Sequence, residues 1–161
     1  MSRAVTRRAV VGAAVATLAL SGCVVPAVNA GAFHENAVAA IESGIAETET
    51  AALTVEQVLA DEITGPLADI TLSTCEDAIG PIEDSFGKVQ PPTPRQDSLR
   101  TAVLTALGDA GSAIADARIA ARRGDRRGLR AALGDLEDAS AALESLHKDI
   151  KDMTYLEEGT A

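Results

Sequence analysis

The sequence predicts an all-α protein, an antiparallel up-down-up-down four-helix bundle that follows a cleaved N-terminal signal peptide. Three observations carry this reading. No stretch shows sustained apolar–polar alternation or a hairpin turn pair. Apolar residues instead recur at steps of three and four in four successive segments. Strong helix breakers divide those segments: Gly65-Pro66, the run Gln90-Pro91-Pro92-Thr93-Pro94, and Gly124.

The N-terminus reads as an export signal. Arg3, Arg7 and Arg8 precede a twelve-residue apolar run from Ala9 to Leu20, and Leu20-Ser21-Gly22-Cys23 closes it. Those last four residues resemble the lipobox of bacterial lipoproteins. The resemblance implies cleavage before Cys23, a diacylglyceryl group on its thiol, and a mature chain held at the outer face of the cell membrane. Ser21 and Gly22 supply the small residues the peptidase needs. An uncleaved anchor is the competing reading, because Ala9 to Val25 is seventeen residues, the lower limit for a bilayer span, before Pro26 interrupts it. Thr6-Arg7-Arg8-Ala9-Val10-Val11 also looks like a twin-arginine signal, so the route is Sec or twin-arginine. Residues 23–33, the lipidated cysteine and a run of small uncharged residues, read as a tether.

The bundle is expected over 34–156, with helices at about 34–64, 66–87, 97–123 and 125–154, and 157–161 as a tail. In the first, Val38, Ile41, Ile45, Ala52, Val55, Leu59 and Ile63 hold one face, with Thr48 filling a gap. Gly65-Pro66 ends it, and Pro66 suits the first turn of the second helix. There Leu72, Cys75, Ile79, Ile82 and Phe86 form the stripe, and Pro81 inside it predicts a kink. The third carries Leu99, Val103, Leu107, Ala110, Ile114, Ala117 and Ala121, with Asp97 as the expected N-cap. Gly124 suits a helix C-cap and Asp125 the next N-cap. In the fourth, Leu129, Leu136, Leu143 and Ile150 fall every seven residues, interleaved with Ala132, Ala139, Leu146 and Met153. Short connections favour antiparallel neighbours, and a long hairpin that dimerises is the competing architecture.

Composition excludes several functions. The formal charge is −10, and the leader carries three arginines and no acid, so the mature chain stands at −13. Such a surface is wrong for nucleic-acid phosphates. Aromatics are only Phe33, Phe86 and Tyr155, too few for stacking on bases or sugars. With Cys23 lipidated, Cys75 has no partner within the chain. It reads as a buried inert thiol, the alternative being an intermolecular disulfide. No nucleophile, P-loop or dinucleotide motif is present, so neither an enzyme nor a cofactor is expected.

Glu144-Ser145-Leu146-His147 matches the Glu-x-x-His spacing of di-iron bundles, but the heptad gives the core positions to Leu143 and Leu146. Glu144 and His147 should then face outward or flank the seam. His34-Glu35 is too small a set for a metal. Arg123-Gly124-Asp125 is the adhesion tripeptide, although capping already explains its glycine and aspartate.

One feature stands out. Arg118, Arg122, Arg123, Arg126, Arg127 and Arg130 place six of the mature chain's eleven basic residues in thirteen positions. Arg126 and Arg127 fall at a helix N-terminus, where the dipole disfavours cations by about 0.3–1 kcal/mol each. The cluster is therefore an anion-contact candidate, for an anionic cell-wall polymer or an acidic protein at the end far from the membrane. The plainer alternative is neutralisation of neighbouring acids.

The alanine-rich helices, Gln90-Pro91-Pro92 and the turn Ile119-Ala120-Ala121-Arg122-Arg123-Gly124-Asp125 resemble small lipoproteins of actinobacterial type over about residues 45–150. That resemblance implies no activity or site beyond Cys23. The expectation is a non-enzymatic, membrane-anchored interaction or scaffold module. The alternative is a ligand- or metal-binding sensor or carrier. A dry apolar core favours the first, an inward-facing polar cluster the second.

Overall fold

A computed structural model describes residues 29–158, with side chains as far as Met153. It is a four-helix bundle: α1 (Ala30–Leu59), α2 (Gly65–Gly87), α3 (Pro94–Arg123) and α4 (Arg126–Glu158). Among the described residues there is no strand ladder. Consecutive helices pack side by side and α4 closes against α1. The cross-section is a rhombus: α1 also touches α3 across the short diagonal, whereas α2 and α4 do not meet.

Each helix begins and ends where local chemistry allows. Asn29 is the N-cap of α1, its Oδ1 accepting from the Ala32 amide at 2.8 Å. The helix thus starts at Ala30, inside the stretch read from sequence as tether, and Phe33 is fully buried in the core. Burying one aromatic ring favours another helical turn over a free linker. At the far end Asp61 takes a left-handed φ of 60°, which turns the chain after α1. α2 runs through Pro81, whose missing N–H leaves the carbonyl four residues back without a helical donor. α3 starts at Pro94 behind Thr93 rather than at Asp97, which lies in its first turn. Proline at the first helical position loses no hydrogen bond, so the proline run opens the helix as well as breaking the chain before it. Gly124 adopts φ 62°, and Asp125 Oδ1 accepts from the Arg127 and Gly128 amides at 3.0 and 2.9 Å.

The core is dry. Leu72, Leu107, Ile114, Leu129, Leu136, Leu143 and Ile150 are all 1 % exposed or less. The buried Thr48 and Thr54 hydroxyls donate to their own helix, to Gly44 O and Thr50 O, both at 2.7 Å. On α1 the buried line is Ala37, Ile41, Gly44, Thr48, Ala51 and Val55, while Val38, Ile45, Ala52 and Leu59, and Ile63 in the turn beyond, are only partly buried. The real face is therefore rotated from the expected one. Small residues carry little hydrophobic signal in a sequence, yet they are what lets α1 and α3 approach across the diagonal.

Candidate functional site

The six arginines lie where α3 ends and α4 begins, beside the α1–α2 turn. Five of them belong to the end of the bundle opposite Asn29, and Arg118 sits one turn below. A 30-residue helix spans about 45 Å, which sets the distance between the two ends.

The structure divides the cluster in two. Arg118 Nε donates to Glu76 of α2, whose carboxylate holds the guanidinium pKa above its ordinary value. Arg122 Nε lies 3.9 Å from Asp69 Oδ1, and Arg126 Nη1 donates to Asp61 Oδ1 at 2.7 Å. Arg126 Nη2 also donates to the Leu59 carbonyl at the end of α1. That contact explains a residue placed against its own helix dipole. The guanidinium of Arg126 leaves the positive end of α4 and reaches the negative end of α1. Arg100 behaves alike at the opposite end, donating to the Gly87 carbonyl that closes α2. The exposed pairs add little stability individually, but they tie the two distal turns together.

Arg123, Arg127 and Arg130 are exposed, and among the described residues none of them forms an ion pair. Of the six anion-contact candidates, these three remain available to a ligand. Arg118, Arg122 and Arg126 are engaged with α1 and α2. The Arg123-Gly124-Asp125 tripeptide is likewise committed, because the Asp125 carboxylate caps α4.

The Glu-x-x-His pair does not converge on the core. Glu144 is exposed, and the half-buried His147 points sideways at α1, its Nε2 3.0 Å from Glu42 Oε1 but without hydrogen-bond alignment. Sequence reasoning missed Glu42 because the contact joins helices roughly a hundred residues apart. His34 is buried at the opposite end with Nδ1 unpartnered, beside a cavity of about 20 Å³ lined also by Arg95, Gln96, Leu99 and Met153. Such a space holds about one water molecule. Cys75 is buried and its thiol pKa is pushed up to about 12, first by burial and then by the Glu47 carboxylate. A thiol held protonated is a poor nucleophile. Among the described residues no three His, Cys, Asp or Glu side chains gather to hold a metal ion. Within the same residues no helix is long and apolar enough to cross a membrane. Cys23 and the signal peptide lie outside the described residues.

No protein-family model, curated protein or solved structure matches the chain.

Proposed function

We propose that this chain is a cell-envelope lipoprotein, anchored through lipid on Cys23, whose bundle is a non-enzymatic interaction module presenting Arg123, Arg127 and Arg130 to an anionic partner. The observation that carries the reading is the division of the arginine cluster. Three guanidiniums pair with acids of the bundle, and three have no ion pair among the described residues, at the end farthest from Asn29, from which the chain leads back to Cys23. Guanidinium recognises phosphate and carboxylate through paired hydrogen bonds, so a wall polymer or an acidic protein surface suits the tip. The largely apolar core supports a scaffold over a carrier, whose ligand would need more polar groups between the helices.

The test has two arms. Cys23→Ala should abolish acyl labelling and release the protein from membranes; a chain that keeps its lipid with that change would sink the anchor. Arg123→Gln, Arg127→Gln and Arg130→Gln together should lower retention on purified envelopes, and wild-type retention should fall as salt rises, because exposed charges are screened over about 8–10 Å. Retention unchanged by the triple substitution at every salt concentration would reduce the tip to a solvated turn.

A further inference from the structure

The face shared by α1 and α2 is unlike the rest of the surface. An open groove of about 390 Å³ runs between these helices, lined by Asn36, Ala39 and Ser43 from α1 and by Pro81 and Ser85 from α2. Steps of seven residues stay on one helical face, so the groove's residues can be followed along the bundle. On α1 the two rows are Asn36, Ser43, Thr50, Gln57 and, beside them, Ala39, Ala46, Leu53. On α2 they are Leu67, Thr74, Pro81 and Thr71, Ala78, Ser85. All are exposed or half-buried and none is charged, in a chain of which 24 % is charged; the deeper row begun by Ala40 carries the half-buried Glu47, which faces Cys75.

The same face holds most of the exposed apolar bulk. Among the described residues four large hydrophobics are exposed: Leu53 at 56 %, Leu67 at 49 %, Ile70 at 66 % and Ile119. The contact of Glu47 with Cys75 sets the register of the antiparallel pair, which brings Leu53 level with Leu67 and Ile70. The strip thus has a small-residue groove at one end and an apolar cluster at the other. Acid rows border it on both sides. Glu35, Glu42, Glu49 and Glu56 run up α1, and Asp77 and Asp84 continue the row of Ile70 on α2.

We infer that this face docks one amphipathic helix of a partner protein, with an uncharged Leu/Ala/Ser face flanked on both sides by lysine or arginine. Each part of that description answers something here. The small residues let a third helix approach to about 8–10 Å. The rows span 36–57, about 32 Å at 1.5 Å per residue, which matches a partner of about six turns. The exposed leucines and Ile70 take its apolar anchors, as in helix-in-groove recognition. The acid rims choose the flanking charge and oppose a second copy of this chain, which would set acid row against acid row.

The probe is a synthetic peptide of about twenty residues with a Leu/Ala/Ser face and lysine on both flanking rows. A scrambled peptide of identical composition serves as control. Titrated against the full chain, the patterned peptide should bind and gain helicity, and the scrambled one should bind about tenfold more weakly or worse. Ser43→Arg with Thr74→Arg, both surface changes, should weaken the patterned peptide at least about tenfold while the melting curve stays put. Arg123→Gln, Arg127→Gln and Arg130→Gln should leave it unchanged, which separates this surface from the arginine tip. Equal binding of the two peptides, or indifference to Ser43→Arg with Thr74→Arg, would overturn the inference. So would sedimentation showing that the full chain pairs with itself through this face.

Discussion

Gly44 of α1 faces Leu107 of α3 so closely that a Cβ on Gly44 would lie 2.5 Å from Leu107 Cδ2. The same atom would stand 3.4 Å from Leu143 Cδ1 of α4 and 3.8 Å from Ile79 Cδ1 of α2. One missing methyl is therefore where all four helices converge. A glycine that costs helix propensity is kept because the diagonal contact needs its space.

Gly44→Ala sets two effects against each other. Alanine gains about 1 kcal/mol of helix propensity, while overpacking a closed core costs about 1–3 kcal/mol. Leu107 is fully buried, so its Cδ2 must shift within the core to make room, and the variant should be less stable by about 1 kcal/mol. Gly134→Ala meets nothing within 4 Å and should stabilise by about 1 kcal/mol. Urea unfolding of both variants decides the matter, and a stabilised Gly44→Ala would refute the diagonal packing.

Leu136 and Leu143 are fully buried in the α4 seam. Each change to alanine should cost about 2–5 kcal/mol. Glu144→Ala, on the exposed side of the same helix, should change stability by less than about 0.5 kcal/mol. Thermal melts of the three variants read this directly. Comparable losses at all three positions would mean that α4 is rotated from the described orientation.

Asp125 caps α4 with a single side chain, its Oδ1 accepting from two amides of the helix's first turn. Asp125→Ala should cost about 1 kcal/mol, and Asp125→Ser should recover most of that. Hydrogen exchange at the Arg127 and Gly128 amides should quicken in the alanine variant alone. Exchange unchanged by the substitution would remove Asp125 from the capping role.

Cys75 makes stability depend on pH in the alkaline range. Its thiol ionises near 9.0 when unfolded and near about 12 in the fold. The folded state holds this proton more tightly, so the stabilisation is complete below pH 9 and is lost as pH rises from about 9 to about 12. The slope is about 1.4 kcal/mol per pH unit, the folded protein losing ground as the unfolded thiol ionises. Cys75→Val should remove that slope, read as the difference between the two proteins' urea midpoints across pH. Parallel curves would show that the thiol titrates alike in both states.

Most of the architecture follows from local pattern. The heptad from Leu129 to Ile150, the glycine at 124 and the aspartate at 125 need only neighbours within a few residues, so periodicity and capping chemistry reveal them. The expectation that the chain does not stack on bases or sugars also rests on composition alone, since it has only three aromatic residues. What needed the tertiary structure is whatever joins separate helices. Ala37, Gly44 and Ala51 are core because α1 meets α3 on the short diagonal, and their small side chains hide this from a hydrophobicity pattern. Arg126 looks misplaced in sequence because its helix dipole repels it, yet the end of α1 and Asp61 lie within its reach in space. The division of the six arginines into three paired with acids and three with no ion pair among the described residues was equally beyond sequence. A guanidinium's partner is set by which acids the packing brings beside it, and here Asp69 and Glu76 are delivered by one other helix, α2, and Asp61 by the turn before it.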